Sequence, residues 1–507
     1  MASQRTRSGA ADRGTQHQGS AQRKQSGKHP LKGAPRGQGS GNAKNSDRTQ
    51  RSEGRKSTSR KPAPRKATPQ NSAPRKAPAR SAHDQAHATA GPCPIMHACG
   101  GCSLLGVPYH KQLKNKQTAT EELFAPLLAQ FGWDCGIEPV RGMRYPLERS
   151  PEDVSYDPLR DACVTADAGK LPAPRAFRHK AATPFAPGPH GSVQSGFFAA
   201  GTHRIVATPD CPVEAPGARR ILNAVARVAE DLHITAFDED AHRGLLRHAI
   251  VRMGWRTNEA LLTVVTSNRD LPREQEFAEA LAAIDPALVG VAHNINPRPG
   301  NAILGPETRV LTGSPRMHDR LLGCTFAISP TAFYQTNPQQ TEVLYSLAIE
   351  GMDLAAGDVV LDAYCGSGTI GLTAAEASAR KGAPISLVGV ERNPAGVADA
   401  QENAQLNHID ATFVAEDATS YIKRCARDGM KADVVVLDPP RAGSTPTFLQ
   451  AVSALGPRRV VYVSCNPATQ VRDLAILGQA GYRLVRLTPV DMFPHTSHVE
   501  TVAVLER

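Results

Sequence analysis

Val359-Val360-Leu361-Asp362-Ala363-Tyr364-Cys365-Gly366-Ser367-Gly368-Thr369 reads as a buried strand that runs into a glycine turn and then a helix. A short apolar run bounded by turn residues marks a strand covered on both faces. Glycine has no side chain and tolerates positive φ, so backbone N–H groups at such a turn can approach a ligand closely. With this run, Asp358 to Asp362, six more apolar strand runs follow: Leu387 to Glu391, Thr412 to Ala415, Asp433 to Asp438, Arg459 to Ser464, Arg483 to Pro489 and Glu500 to Leu505. Helical stretches alternate with them, the pattern of a parallel α/β sheet. Seven strands with a late hairpin predict one doubly wound, Rossmann-like domain over residues 326–507.

The Gly-x-Gly turn alone fits a dinucleotide as well as S-adenosylmethionine, and Cys365 within it reads as packing. Acids at the strand ends sharpen the reading. Glu391 closes the second strand, Asp417 follows the third and Asp438 closes the fourth. Ligands of open α/β sheets lie beyond the carboxyl ends of the strands, so the three acids are expected along one crevice, with Glu391 suited to ribose hydroxyls. Any one of them fits a helix cap equally well. No P-loop pattern occurs, which disfavours phosphoryl transfer.

Asp438-Pro439-Pro440-Arg441 and Ser464-Cys465-Asn466-Pro467 each fall at a strand end above that crevice. A free cysteine is usually packing, but a thiol on a rigid strand end is also positioned as a nucleophile. His495-Thr496-Ser497-His498-Val499-Glu500-Thr501 brings a carboxylate to the start of the last strand. A nucleophilic thiol, a carboxylate base and a methyl donor are what methylation of a pyrimidine at carbon 5 requires. Carbon 5 becomes nucleophilic only after a thiolate adds to carbon 6, and a base must then remove the carbon 5 proton so that the thiolate leaves.

Taken together, Leu361 to Gly368, Asp438-Pro439-Pro440-Arg441-Ala442-Gly443, Ser464-Cys465-Asn466-Pro467 and His498-Val499-Glu500-Thr501 resemble the RNA uracil-5 methyltransferase family. The resemblance spans about residues 91 to 507. The family uses S-adenosylmethionine and includes 23S ribosomal RNA and transfer RNA enzymes. The resemblance implies Cys465 as nucleophile and Glu500 as proton acceptor. It implies cofactor contacts from Gln335, Tyr364, Thr369, Glu391, Asp417 and Asp438. Thr369 departs from the Asn of many members, and Asp417 stands where Asn or Asp occurs.

Cys93, Cys99 and Cys102, joined by the distant Cys211, resemble the [4Fe-4S] site of the ribosomal branch, and zinc accepts the same four thiolates. The resemblance favours iron–sulfur, and with it 23S ribosomal RNA as substrate over transfer RNA. Many ribosomal members also carry an N-terminal β-barrel called TRAM. The stretch before Cys93 lacks the β-branched and aromatic residues a barrel needs. Phe177-Arg178-His179-Lys180 resembles a basic motif of the family and is expected to face RNA phosphate.

The 507-residue chain carries a net charge of +11. Residues 1 to 90 hold 20 Lys and Arg against 4 Asp and Glu, a surplus of 16, which leaves the remainder five charges negative. This stretch has no Phe, Tyr or Trp and a single Leu, so it reads as a disordered basic tail, either an RNA-attracting arm or a solubilising extension. Residues 91–325 read as a β-rich central substrate domain. It holds strand-like runs at Ser195 to Phe198 and Leu261 to Thr266 and a helix from Glu274 to Ile284. A helix is also expected from about Pro108 toward Phe131, kinked or ended at Pro126, with Lys111, Lys114 and Lys116 on faces that meet either phosphate or solvent. No run approaches the ~18 apolar residues of a membrane span, and ten unevenly spaced cysteines make no disulfide scaffold. A soluble, cytoplasmic, monomeric protein acting on RNA and not at a membrane is therefore expected. Two rivals remain: a non-catalytic RNA-binding protein that keeps the fold, and an amino-group methyltransferase, against which Arg441 stands where an aromatic would stack on the base.

Overall fold

The computed structural model describes residues 93–507; the expectations for the basic tail and for the region before Cys93 lie outside the described residues. The central region forms a sheet of seven strands: β1 (Lys180–Pro187), β2 (Val193–Phe198), β3 (Ile205–Ala207), β4 (Leu246–Met253), β5 (Ala260–Thr266), β6 (Leu288–Ile295) and β7 (Glu307–Gly313), in the order β3-β2-β1-β4-β5-β6-β7. Neighbours are antiparallel except β5 and β6. Those two need a crossover to run parallel, and the helix Glu274–Ala282 supplies it. The helix Ala218–Asp231 seals one face with Ile221, Leu222 and Val225.

A hairpin of β8 (Met317–Leu321) and β9 (Cys324–Ile328) follows. The boundary drawn at 325/326 passes through β9. Phe326 and Ile328 of this strand pack in one core with Val343 and Leu347 of the helix Pro338–Met352 and with the second sheet.

That second sheet contains β10 (Val359–Ala363), β11 (Ser386–Glu391), β12 (Ala411–Ala415), β13 (Val434–Leu437), β14 (Arg459–Ser464), β15 (Arg483–Val490) and β16 (Glu500–Glu506), in the order β12-β11-β10-β13-β14-β16-β15. The first five are parallel, and β16 inserts antiparallel between β14 and β15. Side chains alternate between two cores as the pleat requires. Val360, Val434, Val436, Val461 and Val502 face one core, while Leu361, Val435, Leu437, Tyr462 and Ala503 face the other. Helices cover both faces, which is why these strands read as unbroken apolar runs.

The helix Tyr109–Phe131 continues five residues past Pro126, held by Phe124 and Leu127 in the core of the second sheet. Isolated bridges from Ile137 to Leu487 and from Arg141 to Val490 cover the edge left open by β15. Residues 109–141 therefore contact the second sheet. Lys111 and Lys114 are exposed on this helix, but Lys116 is buried against Asp491 and unavailable to phosphate. Among the described residues no helix is long and apolar enough to cross a membrane.

Candidate active site

The strand β10 ends at Ala363, and the next residues turn sharply: Tyr364, Gly366 and Gly368 all have positive φ. Tyr364 and Cys365 both donate N–H to the Val390 carbonyl of β11, which holds a left-handed tyrosine that would otherwise cost about 1–2 kcal/mol. The helix Thr369–Arg380 starts immediately after Gly368. Beyond the carboxyl ends of these strands lies a cavity of about 860 Å³. Gln335, Tyr364, Thr369, Glu391, Asp417, Asp438, Cys465 and Glu500, drawn from separate parts of the sequence, all line it.

Their local roles differ. Glu391 accepts from the backbone N–H groups of Gly366 and Asn393, so it braces the glycine turn from the crevice side. Asp417 caps the helix Ala418–Arg427 through the Ser420 N–H, the capping role open to any strand-end acid. The Thr369 hydroxyl lies 2.9 Å from the Tyr345 hydroxyl, deep in the wall. Gln335 sits on the loop before the helix Pro338–Met352, and His179 holds that loop by donating N–H to the Thr336 carbonyl. Arg252 adds hydrogen bonds to the carbonyls of Pro330 and Ala332.

At the other side, Ser464 pairs with Thr501, which brings Cys465 and Glu500 to adjacent strand ends. Burial pushes the Glu500 carboxyl up to about 8, and the neighbouring Asp438 adds to the effect. Desolvation alone raises Asp438 to about 7. Burial also raises Asp362 to about 7, against the Gly371 N–H that bonds it. Acids held this far above their ordinary range concentrate at sites of proton transfer. The Cys465 thiol is pushed up by burial, then by Glu500 and Asp438, while Arg441 opposes them. The cavity is thus hostile to negative charge, and a bound cation favours ionisation of all four groups.

Sequence patterns did not bring out several wall residues. Tyr345 and Phe493 carry no motif of their own. Lys180, expected to face RNA phosphate, reaches the same cavity from β1 of the other sheet. Among the described residues no carboxylate lies within ion-pair distance of it. Burial, with Arg252 beside it, lowers its ammonium to about 8. Phe333 stands at the rim, 69% exposed, a flat apolar surface free to stack.

Cys93 precedes the short helix Met96–Cys99, Cys99 ends it and Cys102 follows it, and Cys102 feels the other two thiols. Cys102 and Cys211 both pack against the small core of Met143, Phe177 and Val213. Among the described residues no group of three or more His, Cys, Asp or Glu side chains is arranged to hold a metal ion.

A family model described as tRNA (uracil-5-)-methyltransferase matches residues 315–507. An uncharacterized RNA methyltransferase of Halalkalibacterium halodurans is 35% identical over 418 residues, covering 82% of this chain and 83% of the relative. A Staphylococcus aureus relative, likewise an uncharacterized RNA methyltransferase, is 36% identical over 416 residues, covering 82% and 84%. The structure of a Pyrococcus abyssi tRNA (uracil-54, C5)-methyltransferase in complex with S-adenosyl-L-homocysteine is similar in fold, with a TM-score of 0.61 and 24% identity over 82% of this chain and 86% of that one.

Proposed function

The chain belongs to the RNA uracil-5 methyltransferase family, and from that premise we propose that it forms 5-methyluridine in 23S ribosomal RNA, as a cytoplasmic monomer using S-adenosylmethionine. The observation that carries the chemistry is the placement of Cys465 beside Glu500 at one wall of a cavity whose other walls are a glycine turn and three strand-end acids.

The cavity fits the cofactor: its turn presents backbone where no side chain intrudes, Gln335 and Tyr364 offer polar contacts, and the acids suit a sulfonium cation and ribose hydroxyls. When bound, the cofactor supplies an electrophilic methyl group. The target uridine leaves its stack to enter the cavity, with Phe333 available to stack at the rim. The Cys465 thiolate adds to carbon 6, and the electron pair of the 5,6 double bond moves onto the ring, making carbon 5 nucleophilic toward the methyl group. Glu500 as carboxylate then takes the carbon 5 proton. Those electrons rebuild the double bond and expel the Cys465 thiolate. Transfer RNA is the alternative substrate.

Cys93, Cys99, Cys102 and Cys211 are proposed as ligands of a [4Fe-4S] cluster, with zinc as the alternative metal. Four thiols are a suitable donor set, but as placed they do not close on a common metal position, and no step of the reaction runs through a cluster. Iron and acid-labile sulfide in anaerobically purified protein, lost in Cys99→Ser, are the expected result. Zinc in their place overturns the assignment.

The deciding experiment incubates the protein with tritiated S-adenosylmethionine and either 23S ribosomal RNA or transfer RNA containing 5-fluorouridine. Fluorine at carbon 5 blocks proton removal, so a denaturation-resistant tritiated adduct is expected with the ribosomal RNA and not with transfer RNA. An adduct with transfer RNA alone reverses the substrate assignment, and none with either RNA overturns the mechanism. The rival binding-protein reading expects no adduct and undiminished function of Cys465→Ala in cells.

A further inference from the structure

Nine residues, Asp491 to Val499, connect β15 to β16 and lead directly into Glu500. Phe493 and His498 in this connection line the cavity with Glu500. Among the described residues nothing hydrogen-bonds to the Glu500 carboxylate, so its aim depends on how the chain is delivered to the first position of β16. The anchors of the connection come from outside its own hairpin. Asn337 donates to the Met492 carbonyl at 3.0 Å and Gln340 to the Asp491 carbonyl at 3.1 Å. Tyr109 and Lys116 bond the Asp491 carboxylate.

The apex is held differently. His495 is fully buried and has φ of 66°, a left-handed conformation that a non-glycine residue keeps only when its surroundings impose it. Its backbone N–H donates to Gln112 Oε1 at 2.9 Å, and its carbonyl accepts from the Leu104 N–H at 2.8 Å. Its ring bridges two separate segments. Nε2 lies 2.7 Å from the Pro174 carbonyl, which can only accept, so Nε2 carries the hydrogen. Nδ1 is then the acceptor facing Gln112 Nε2 at 3.2 Å. The backbone N–H of His495 can only donate, so it fixes which end of the Gln112 amide faces it. The same amide nitrogen also faces the Leu104 and Val107 carbonyls at 3.0 and 2.7 Å, so its two hydrogens are shared among three acceptors. One neutral imidazole therefore ties the helix Tyr109–Phe131, the segment ahead of β1 and the catalytic hairpin into a single arrangement. Past this point Thr496 ties the turn internally, to the Phe493 carbonyl and the His498 N–H.

Building on the Cys465–Glu500 reading, we infer that His495 is a positioning residue for proton abstraction: clamped between Gln112 and Pro174, it sets the turn that aims the Glu500 carboxylate at carbon 5 of the base. Cys465 follows β14 directly, and none of the clamp's hydrogen bonds reaches it. Its addition to carbon 6, with the methyl transfer that follows, is independent of His495. Removal of the carbon 5 proton, reformation of the 5,6 double bond and release of the thiolate depend on it.

The test compares wild type, His495→Ala, His495→Asn and Gln112→Glu on two RNAs. Asn keeps a polar group near the Nδ1 position and tolerates positive φ, whereas Ala has neither property. Glu at position 112 keeps the acceptor for the His495 N–H in case the alanine variant does not fold. On 5-fluorouridine RNA, which reads addition and methyl transfer alone, all variants are expected to form adduct within about threefold of the wild-type rate. On ordinary uridine RNA, His495→Ala is expected to release product at least tenfold more slowly and to accumulate a methylated protein–RNA adduct. Gln112→Glu accumulates less of it, and His495→Asn restores release. Equal losses on both RNAs, or turnover without any accumulated adduct, overturn the positioning role while leaving Cys465 as nucleophile. Absence of an adduct even from wild type on the fluorinated RNA overturns both.

Discussion

Cys465, just beyond the end of β14, lies beside Glu500: burial raises its thiol, and the Glu500 carboxylate raises it further. Ser464, the last residue of β14, pairs with Thr501 of β16 in the antiparallel register, so Cys465 follows that pair on one chain segment as Glu500 precedes it on the other, and both line the same cavity. Thr501 Oγ1 donates to Gln470 Oε1 at 2.6 Å, and Gln470 donates to the Tyr462 carbonyl of β14 at 2.9 Å. That register is therefore bolted from one side.

Removing the thiol and removing the carboxylate should have opposite signatures. Cys465→Ala is expected to form no covalent RNA adduct and to lose at least 10³-fold in turnover, since the reactive carbon is then never activated. Glu500→Gln is expected to trap a methylated adduct on ordinary uridine RNA, visible as a slow-migrating tritiated band on a denaturing gel.

Activity should rise with pH through the neutral range. As the proposed base Glu500 acts deprotonated, and in the free protein its carboxyl is held up to about 8 with Asp438 at about 7. The two interact, so the pair titrates with shared apparent values. The profile of kcat/KM, which reports the free enzyme, is expected to climb from pH 6 through pH 8 and to keep rising above it, because the Cys465 thiol, itself pushed up by burial and by Glu500, must also ionise. A flat wild-type profile from pH 6 to 9 contradicts this.

The same burial makes the site a source of instability. The unfolded Glu500 carboxyl loses its proton near 4.5, whereas the folded chain holds it to about 8. Between those values the folded state binds more protons than the unfolded one, so this group's contribution to stability falls as pH rises. The melting temperature of Glu500→Gln relative to wild type, measured without cofactor, is expected to increase from pH 5 to about pH 8 and to level off above it. A difference that stays constant with pH refutes the assignment.

Lys116 and Asp491 form an ion pair with both side chains nearly inaccessible to solvent. Lys116→Met leaves Asp491 buried with Tyr109 as its remaining side-chain partner, and is expected to destabilise the protein by about 3–5 kcal/mol in urea unfolding. Adding Asp491→Asn to that variant should recover part of the loss. If the single variant unfolds at the wild-type midpoint, the pair contributes nothing.

The strands of the second sheet were legible nearly to the residue, because most are buried apolar runs bounded by polar or turn residues, the edge strand β12 being the least buried. The helix Tyr109–Phe131 was legible from Leu113, Thr120, Phe124 and Leu127, but its length was not, since tertiary burial around Phe124 and Leu127 overrides the penalty of Pro126. Lys116 illustrates the opposite failure. In the sequence it resembles Lys111 and Lys114, and only its partner Asp491, 375 residues away, separates a buried ion from a surface one.

Local chemistry along the chain was enough to specify a parallel α/β sheet, the glycine turn after β10 and the strand-end positions of Glu391, Asp438 and Cys465, because side-chain burial and strand termination are properties of neighbouring residues. Sheet order is not such a property. The insertion of β16 between β14 and β15 puts Glu500 against Cys465, the approach of β1 brings Lys180 into the same cavity, and the docking of Gln112 and Pro174 holds His495. Each of these depends on long-range contacts that bring together residues with no periodic relation to one another, so only the folded chain could select them.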